Sequence, residues 1–408
     1  MRHLKAKKLP VLNDPIYGFI GIESLLIFEL LEHPYFQRLR RISQMGLSYL
    51  VYPGARHSRF EHAIGAMHLM SKVVNVLRKK GVEISPEEKE ALCIAILLHD
   101  IGHGPFSHAL EETLLIDTHH EELSLRYMEL LNAQFGGKLD LAIAIYNDQY
   151  PRKFMGQLVA SQLDIDRLDY LKRDSFYTGA TEGNINTQRI VEMFHVIDDE
   201  LVVEEKGLFS VEKFIMARRL MYWQVYLHKT GVAAELLLAN MMQYLRLLVQ
   251  QEGFKEVPKN LLYFFEQKTT LLKSEEQLRR FSELDDIDIL AGLKQWQHHA
   301  DPILSSYASR ILYRRLMKVR LQEEAFSTSQ IEEKKALLCA KGYSKAYADR
   351  FVFAGQISTT PYSLKKPSIK IRMKSGEIKA LEELSGLFKG GAFTTKETKS
   401  YLCYAKAE

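Results

Sequence analysis

Cysteine is scarce: Cys93, Cys339 and Cys403 are the three in 408 residues, and they are far apart in the chain. Neither a disulfide framework nor a CxxC metal pair can be built from them, which fits a reducing, cytoplasmic setting. Long apolar runs are missing too. No apolar stretch reaches the length of a spanning helix, and no apolar region follows the basic start Met1-Arg2-His3-Leu4-Lys5-Ala6-Lys7-Lys8, so neither a membrane protein nor a secreted one is expected. Charge of one sign is lacking. A net charge of +4 is too mild to imply a nucleic-acid or membrane surface as the main partner. There is no internal repeat and no low-complexity tract. What remains, 46% hydrophobic and 26% charged residues, is the composition of an ordinary globular protein of enzyme size.

The pattern along the chain is mostly helical. Residues 10–22 read as an extended lead-in with a turn at Asn13-Asp14-Pro15. A helix begins near Ile22 and breaks at His33-Pro34. A second follows, with Phe36, Leu39 and Ile42 on its apolar face and Gln37, Arg38, Arg40 and Arg41 on the other, a solvated face whose arginine forks could also grip phosphate. After a compact loop from Leu47 to Arg59, Glu61 opens a helix running to about Lys79. Ser85-Pro86-Glu87-Glu88 starts the next, with Ser as cap, Pro in the first turn and acids at the positive end of the dipole. Further helices are expected from Pro105-Phe106-Ser107, from His119-His120-Glu121, over 154–174, 210–229 and 232–251, and as shorter pieces over 257–353. Phe194–Glu205 has the period of a hairpin with Asp198-Asp199 as its turn. The last 55 residues change character: Ser368–Met373 alternates like a strand, Gly376–Leu387 looks helical, and Tyr401–Tyr404 could be an edge strand.

The chemistry centres on Leu97-Leu98-His99-Asp100-Ile101-Gly102-His103-Gly104-Pro105-Phe106-Ser107-His108. Adjacent His99 and Asp100 at a helix end can turn two different ligand atoms toward one point, and Gly102 and Gly104 let backbone approach where a side chain would obstruct. Imidazole with carboxylate suits Fe, Mn, Co, Zn or Ni. His62, His99-Asp100 and Asp166 each fall on or at the end of an expected helix, an order that can converge four ligands in a helical core. Asp166, Tyr170 and Asp174 fall at i, i+4 and i+8 and share one helix face, while Asp164 and Asp169 point elsewhere.

With Arg59-Phe60-Glu61-His62, Asp166-Arg167-Leu168-Asp169-Tyr170, Asn13-Asp14-Pro15-Ile16-Tyr17-Gly18, Phe36-Gln37-Arg38-Leu39-Arg40 and Tyr226-Leu227-His228-Lys229 in the same order, the sequence resembles the HD-domain deoxynucleoside triphosphate triphosphohydrolases over roughly residues 10–250. The resemblance implies a mostly α fold with an HD-domain core over 1–255; beyond it the residue pattern adds a helical extension over 256–353 and a small α+β appendage over 354–408, which the resemblance does not cover. It implies one divalent transition metal on His62, His99, Asp100 and Asp166, with Mg accompanying the triphosphate. His108 matches the family's candidate acid, supported by Glu111 and His120, and His103 a histidine near the α-phosphate; the family usually has Asp where Glu111 stands. Arg59, Arg167, Arg218 and Lys229 match phosphate contacts. Gln44 and Met45 lie under the deoxyribose, Tyr170 closes its 2′ face, Asp174 accepts from the 3′-hydroxyl, and Tyr226 borders the base. Glu32, Gln37 and Arg40 match positions that bind a guanine nucleotide activator between subunits, which implies a homodimer or homotetramer. The expected reaction is hydrolysis of a dNTP to deoxynucleoside and tripolyphosphate. Two alternatives stand beside it: an HD phosphohydrolase acting on a nucleoside monophosphate, cyclic dinucleotide or guanosine alarmone, and a nucleic-acid-binding regulatory protein whose metal site is incidental.

Overall fold

The computed structural model describes residues 9–114, 118–267, 274–389, 391 and 393–406; the basic run Met1–Lys8 lies outside them. Its centre is the helix Arg59–Lys79, which packs on one side against Pro86–Leu98 and on another against Ile165–Thr178. Ala63, Ala66, Met70, Val73, Val74 and Leu77 are buried at helical spacing, and Leu92 and Ala95 to Leu98 meet them from the second helix. The ends of these three helices come together, and that is what places the site. Ser58 begins the first helix, with Glu61 accepting from the Ser58 N–H and hydroxyl. Ser85 begins the second as expected, and its hydroxyl accepts from the Glu88 N–H at 3.1 Å. Asp164 caps the third, so the expected helix over 154–174 is two: Lys153–Val159 and Ile165–Thr178.

Other expectations need correction. The second helix is only Pro34–Gln37 continued by a tighter turn over Arg38–Arg41. Arg38 is not on a solvated face. It is buried, and its guanidinium donates to the carbonyls of Leu284 (2.8 Å), His103 (2.7 Å) and Ile101 (3.4 Å), tying residues far apart in sequence to the loop that follows His99-Asp100. No continuous helix starts at Pro105: Phe106 and Ser107 both take left-handed backbone (φ 54° and 53°), a short turn covers Ser107–Ala109, and Glu111–Leu114 is a single turn. The helix over 210–229 ends at Met221 and widens into a π turn over Tyr222–Tyr226 before Lys229–Glu252.

The Lys229–Glu252 helix is long and apolar enough to cross a membrane by length and composition. Here Ala233, Ala234, Leu237, Leu238, Met241, Met242 and Leu245 are buried, and it packs against Pro302–Leu312 as a core helix.

The hairpin Phe194–Ile197/Glu200–Glu204 forms as expected, with Asp198 and Asp199 both at positive φ. The last segment departs most from its reading. Lys370–Arg372 is a strand, but it pairs in parallel with Glu200–Glu204 and so extends the hairpin's sheet. Gly376–Leu387 is not one helix: Ile378–Ala380 is a strand, followed by the turn Leu381–Leu384. Tyr401–Tyr404 belongs to Glu397–Tyr404, the middle strand between Lys318–Gln322 and Val352–Thr359.

Candidate metal centre and cleft

The four expected ligands meet. The Nε2 atoms of His62 and His99 lie 3.4 Å apart. Asp166 Oδ1 is 3.1 Å from the first and 3.5 Å from the second. Asp100 offers Oδ2 at 3.7 Å from His62 Nε2 and Oδ1 at 3.4 Å from His99 Nε2. Ligand atoms about 2.0–2.2 Å from one ion stand roughly 3–3.6 Å from each other, so this quartet fits a first-row divalent cation.

The ring orientations agree. His99 Nδ1 donates to the carbonyl of Ile96 at 2.6 Å, and His62 Nδ1 to Asp169 Oδ2 at 2.8 Å, which leaves both Nε2 lone pairs facing the common point. The charge balance asks for a cation as well. Burial opposes a charge on His62, yet its hydrogen bonds to Asp166 and Asp169 hold its protonation up at about 10. A pocket that draws protons onto its imidazoles this strongly can trade them for a divalent ion.

Behind His62 stands a chain that the sequence reading set aside. Asp169 accepts from Arg173 (2.9 and 3.1 Å), and Arg173 also donates to Asp14 at 2.8 Å; all three are buried. Gly65 makes the room: a Cβ there would collide with the Arg173 guanidinium and the Asp169 carboxylate. Gly102 serves similarly in the His99-Asp100 loop, where a Cβ would strike the His120 carbonyl and the Ser124 N–H. The signal available in sequence was Asp169 and Arg173 at i, i+4 on an otherwise buried face.

A cleft of about 320 Å³ opens beside the quartet, within the range of small-molecule sites. Asp100, His103 and Asp166 line one end; Gln44, Met45, Tyr170, Asp174, Tyr222 and Tyr226 line the other walls, with Arg59, His108 and His120 between. Asp166, Tyr170 and Asp174 do share the face that looks into it. Arg59 is buried, paired with Asp100 Oδ2 at 2.5 Å and donating to Ser107 Oγ at 2.9 Å. Glu111 reaches two histidines: Oε2 is 3.0 Å from His108 Nδ1, and Oε1 is 2.8 Å from His120 Nδ1 and accepts from the His120 N–H. Despite burial, these bonds hold its carboxyl far below the usual range. His103 stacks on His120 with ring centres 3.9 Å apart, and burial and Arg59 push its protonation well down.

Asp174 is already engaged, with His57 Nε2 at 2.7 Å and the Tyr226 hydroxyl donating at 2.7 Å, so a ligand hydroxyl would share its remaining lone pairs. His57 was not singled out in sequence. Arg167, Arg218 and Lys229 do not line the cleft wall: the first two act electrostatically on Tyr170 from beside it, and Lys229 is exposed at the start of its helix. Glu32, Gln37 and Arg40 also lie off the cleft. Arg40 donates to Gln37 Oε1 at 2.8 Å and stacks over Phe60. Glu235 was missed as well. It lines the cleft against the backbone of Gly46, forms no hydrogen bond or ion pair among the described residues, and burial pushes its carboxyl up to about 7.

Comparison with known proteins agrees with this geometry. Residues 59–174 match the HD domain, and residues 185–256 match the HD associated region. A Bacillus subtilis protein, YwfO, is 32% identical over 400 residues, covering 94% of this chain and 89% of its own. The deoxynucleoside triphosphate triphosphohydrolase SAMHD1 homolog of Dictyostelium discoideum is 32% identical over 61% of this chain, which spans 53% of that protein's length. The crystal structure of a phosphohydrolase from Bacteroides thetaiotaomicron superposes with a TM-score of 0.93 at 44% identity, over 98% of this chain and 100% of that one. With the candidate metal quartet, its supporting carboxylate and the matched domain coinciding on the same helices, the chain belongs to the HD-domain phosphohydrolases.

Proposed function

We propose that this hydrolase converts dNTPs to deoxynucleoside and tripolyphosphate. The observation that carries the reading is the shared helix face: Asp166 at the metal quartet, with Tyr170 and Asp174 one and two turns further along the same cleft. A reacting phosphate at the quartet then puts a sugar beside Tyr170. Packed against C2′, a tyrosine leaves no space for a ribose hydroxyl, which gives deoxy preference.

His62, His99, Asp100 and Asp166 would hold one divalent ion (Fe, Mn, Co, Ni or Zn), which supplies a Lewis acid for the α-phosphate and lowers the pKa of water. Water attacks the α-phosphorus and forms a new oxygen–phosphorus bond as the bond to the 5′-oxygen breaks, and the departing alkoxide needs a proton. His108 faces the cleft with its Nδ1 held by Glu111, so its Nε2 can deliver that proton. The longer arm of Glu111 spans both His108 and His120, fixing the pair through one carboxylate. His103 sits by the α-phosphate. Arg59, Arg167, Arg218 and Lys229 receive the phosphates, with Mg accompanying them. Gln44 and Met45 support the sugar, Asp174 its 3′-hydroxyl, and Tyr226 the base. Glu32, Gln37 and Arg40 are the candidate guanine nucleotide contacts in a homodimer or homotetramer; the exposure of Glu32 and Arg40 suits a ligand shared with a second copy.

The test is to incubate protein loaded with Mn²⁺ or Fe²⁺ with each dNTP and rNTP, singly and mixed, and to identify the products by ion-pair chromatography. Tripolyphosphate and deoxynucleoside are expected, and a His99→Ala/Asp100→Ala variant should lose turnover by at least about a thousandfold. Turnover only in mixtures would establish activation. Release of monophosphate or single phosphate, or no turnover under any condition, would refute the assignment.

A further inference from the structure

A second cavity lies away from the metal quartet, in the helical extension. It holds about 460 Å³ and is lined by the helix Pro302–Leu312, by Arg315 and by the turn from Gly342 into the helix Lys345–Phe351. It shares no lining residue with the cleft. Its charged lining is Arg310 and Arg315, both positive, and no carboxylate lines it among the described residues. The rest of its polar side chains are hydroxyls of serine and tyrosine.

Arg310 is only 6% exposed, yet it makes no ion pair among the described residues. The buried arginines near the quartet are matched by carboxylates: Arg59 by Asp100, and Arg173 by Asp14 and Asp169. Arg310 has neutral oxygens instead. Its Nε donates to Ser306 Oγ at 3.2 Å, one Nη to the Arg315 carbonyl at 3.2 Å and the other to the Tyr347 hydroxyl at 3.3 Å. A guanidinium carries about five N–H donors, so two are left over. The hydroxyls hold a spare proton as well. Ser306 Oγ and Tyr347 Oη lie 2.8 Å apart, so one donates to the other, and the second proton has no acceptor among the described residues. Arg38 also lacks a carboxylate, but at 1% exposed it is enclosed among main-chain carbonyls, whereas Arg310 borders open space. A buried cation without a counter-ion costs free energy that an incoming anion would return.

We infer that this cavity is a second ligand site, which takes the phosphate group of a small molecule on Arg310, Ser306 and Tyr347. Two guanidinium N–H groups and one hydroxyl proton match an anion that turns several oxygens outward, as phosphate does. Tyr343 lines the same cavity and stacks on Tyr347 with ring centres 4.6 Å apart, so an aromatic ring borders the room left for the rest of the ligand. The site stands apart from the triphosphate reading, because cavity and cleft have no residue in common.

The test uses the full chain carrying His99→Ala/Asp100→Ala and freed of metal, so that no phosphate is held at the quartet. It is titrated calorimetrically with inorganic phosphate, adenosine monophosphate and adenosine. Both phosphates should bind and adenosine should not. Adding Tyr347→Phe, which keeps the ring stack, should weaken phosphate binding about three- to tenfold, and Arg310→Met, which keeps the length but not the charge, at least about tenfold. Thermal melting shows which variants are folded, and Tyr347→Phe decides alone if Arg310→Met is not. Adding Arg59→Ala, in the cleft, should change nothing. Tighter binding of the monophosphate than of phosphate would identify a phosphorylated organic ligand, and equal binding the free anion; either supports the site. Failure of both phosphates to bind at millimolar concentration, equal binding of adenosine, unchanged affinity in folded Tyr347→Phe, or loss of binding in Arg59→Ala would overturn it.

Discussion

The two ends of the cleft are built differently. At the metal quartet, the polar groups behind the ligands are matched: His99 to Ile96, His62 to Asp169, Asp169 to Arg173, Arg173 to Asp14. Along the other walls, Gln44 Oε1 is buried without a hydrogen-bond partner and Glu235 has none, and beside the cleft Arg167 Nε and Arg218 Nε are likewise unpartnered, all among the described residues. The first end is preorganised for a small ion, whose ligands must be fixed to a few tenths of an ångström. The second holds its groups in reserve for a larger ligand that brings its own donors and acceptors. Breaking a finished network should therefore cost stability and metal together, while altering the unfinished end should change binding and pH response with little loss of fold.

The largest effect is expected from Asp169→Asn. The amide keeps the shape but removes the charge that both Arg173 and His62 use. Metal affinity should fall about 10–100-fold, as for other supporting carboxylates. Stability should fall by about 3 kcal/mol, because Arg173 keeps a single carboxylate, Asp14, in a buried setting. Metal content after dialysis against graded chelator reads the first effect, and thermal unfolding of the metal-free protein reads the second. A variant that retained both would show that the network behind His62 is not what organises the ion end.

Glu235→Gln tests the unfinished end. A carboxyl whose folded-state protonation sits at about 7 binds its proton more tightly folded than unfolded. Its contribution is therefore neutral at low pH and becomes a penalty as pH climbs from the ordinary carboxylate range through 7. Replacing it with a neutral amide should leave the melting temperature nearly unchanged at pH 5. At pH 8 it should stabilise by on the order of 2 kcal/mol, partial exposure screening some of the shift. Equal melting temperatures at both values of pH would mean that Glu235 is ionised at no cost, and the contrast between the ends would weaken.

The same contrast marks what could be seen in the sequence. The convergence of His62, His99, Asp100 and Asp166 was legible because helix starts and ends are written locally: a helix opening at Glu61, Ser85 with Pro86, and a Gly-punctuated loop after His99-Asp100. The helix face of Asp166, Tyr170 and Asp174 followed from spacing alone. Arg38 was misread because its amphipathic pattern is that of a surface arginine, and only the fold brings Leu284, Ile101 and His103 carbonyls around it. The break at Asp164 was missed because the apolar pattern runs on through Leu163 and Ile165, while the Asx cap depends on backbone geometry. Tyr401–Tyr404 was read as a strand but placed at an edge, because its partners Lys318–Gln322 and Val352–Thr359 lie in no window of sequence that contains it. Gly376–Leu387 was misread as a helix: Ile378–Ala380 pairs with nearby Lys370–Arg372, and that pair becomes part of a larger sheet only through Glu200–Glu204, far away in the chain.

Ser58→Ala is the gentlest probe of the ion end and the smallest effect expected. The serine hydroxyl donates to Glu61 at 2.6 Å at the start of the helix that carries His62 four residues later. Losing it should cost about 0.5–1 kcal/mol, because the Ser58 N–H still reaches the Glu61 carboxylate. His62 itself is held by Asp169 from a different helix, so its Nε2 should stay in place. Metal affinity should then change less than about twofold while the melting temperature drops slightly. A loss of metal as large as that in Asp169→Asn would mean that the helix start, rather than the buried Asp169–Arg173–Asp14 chain, fixes the imidazole.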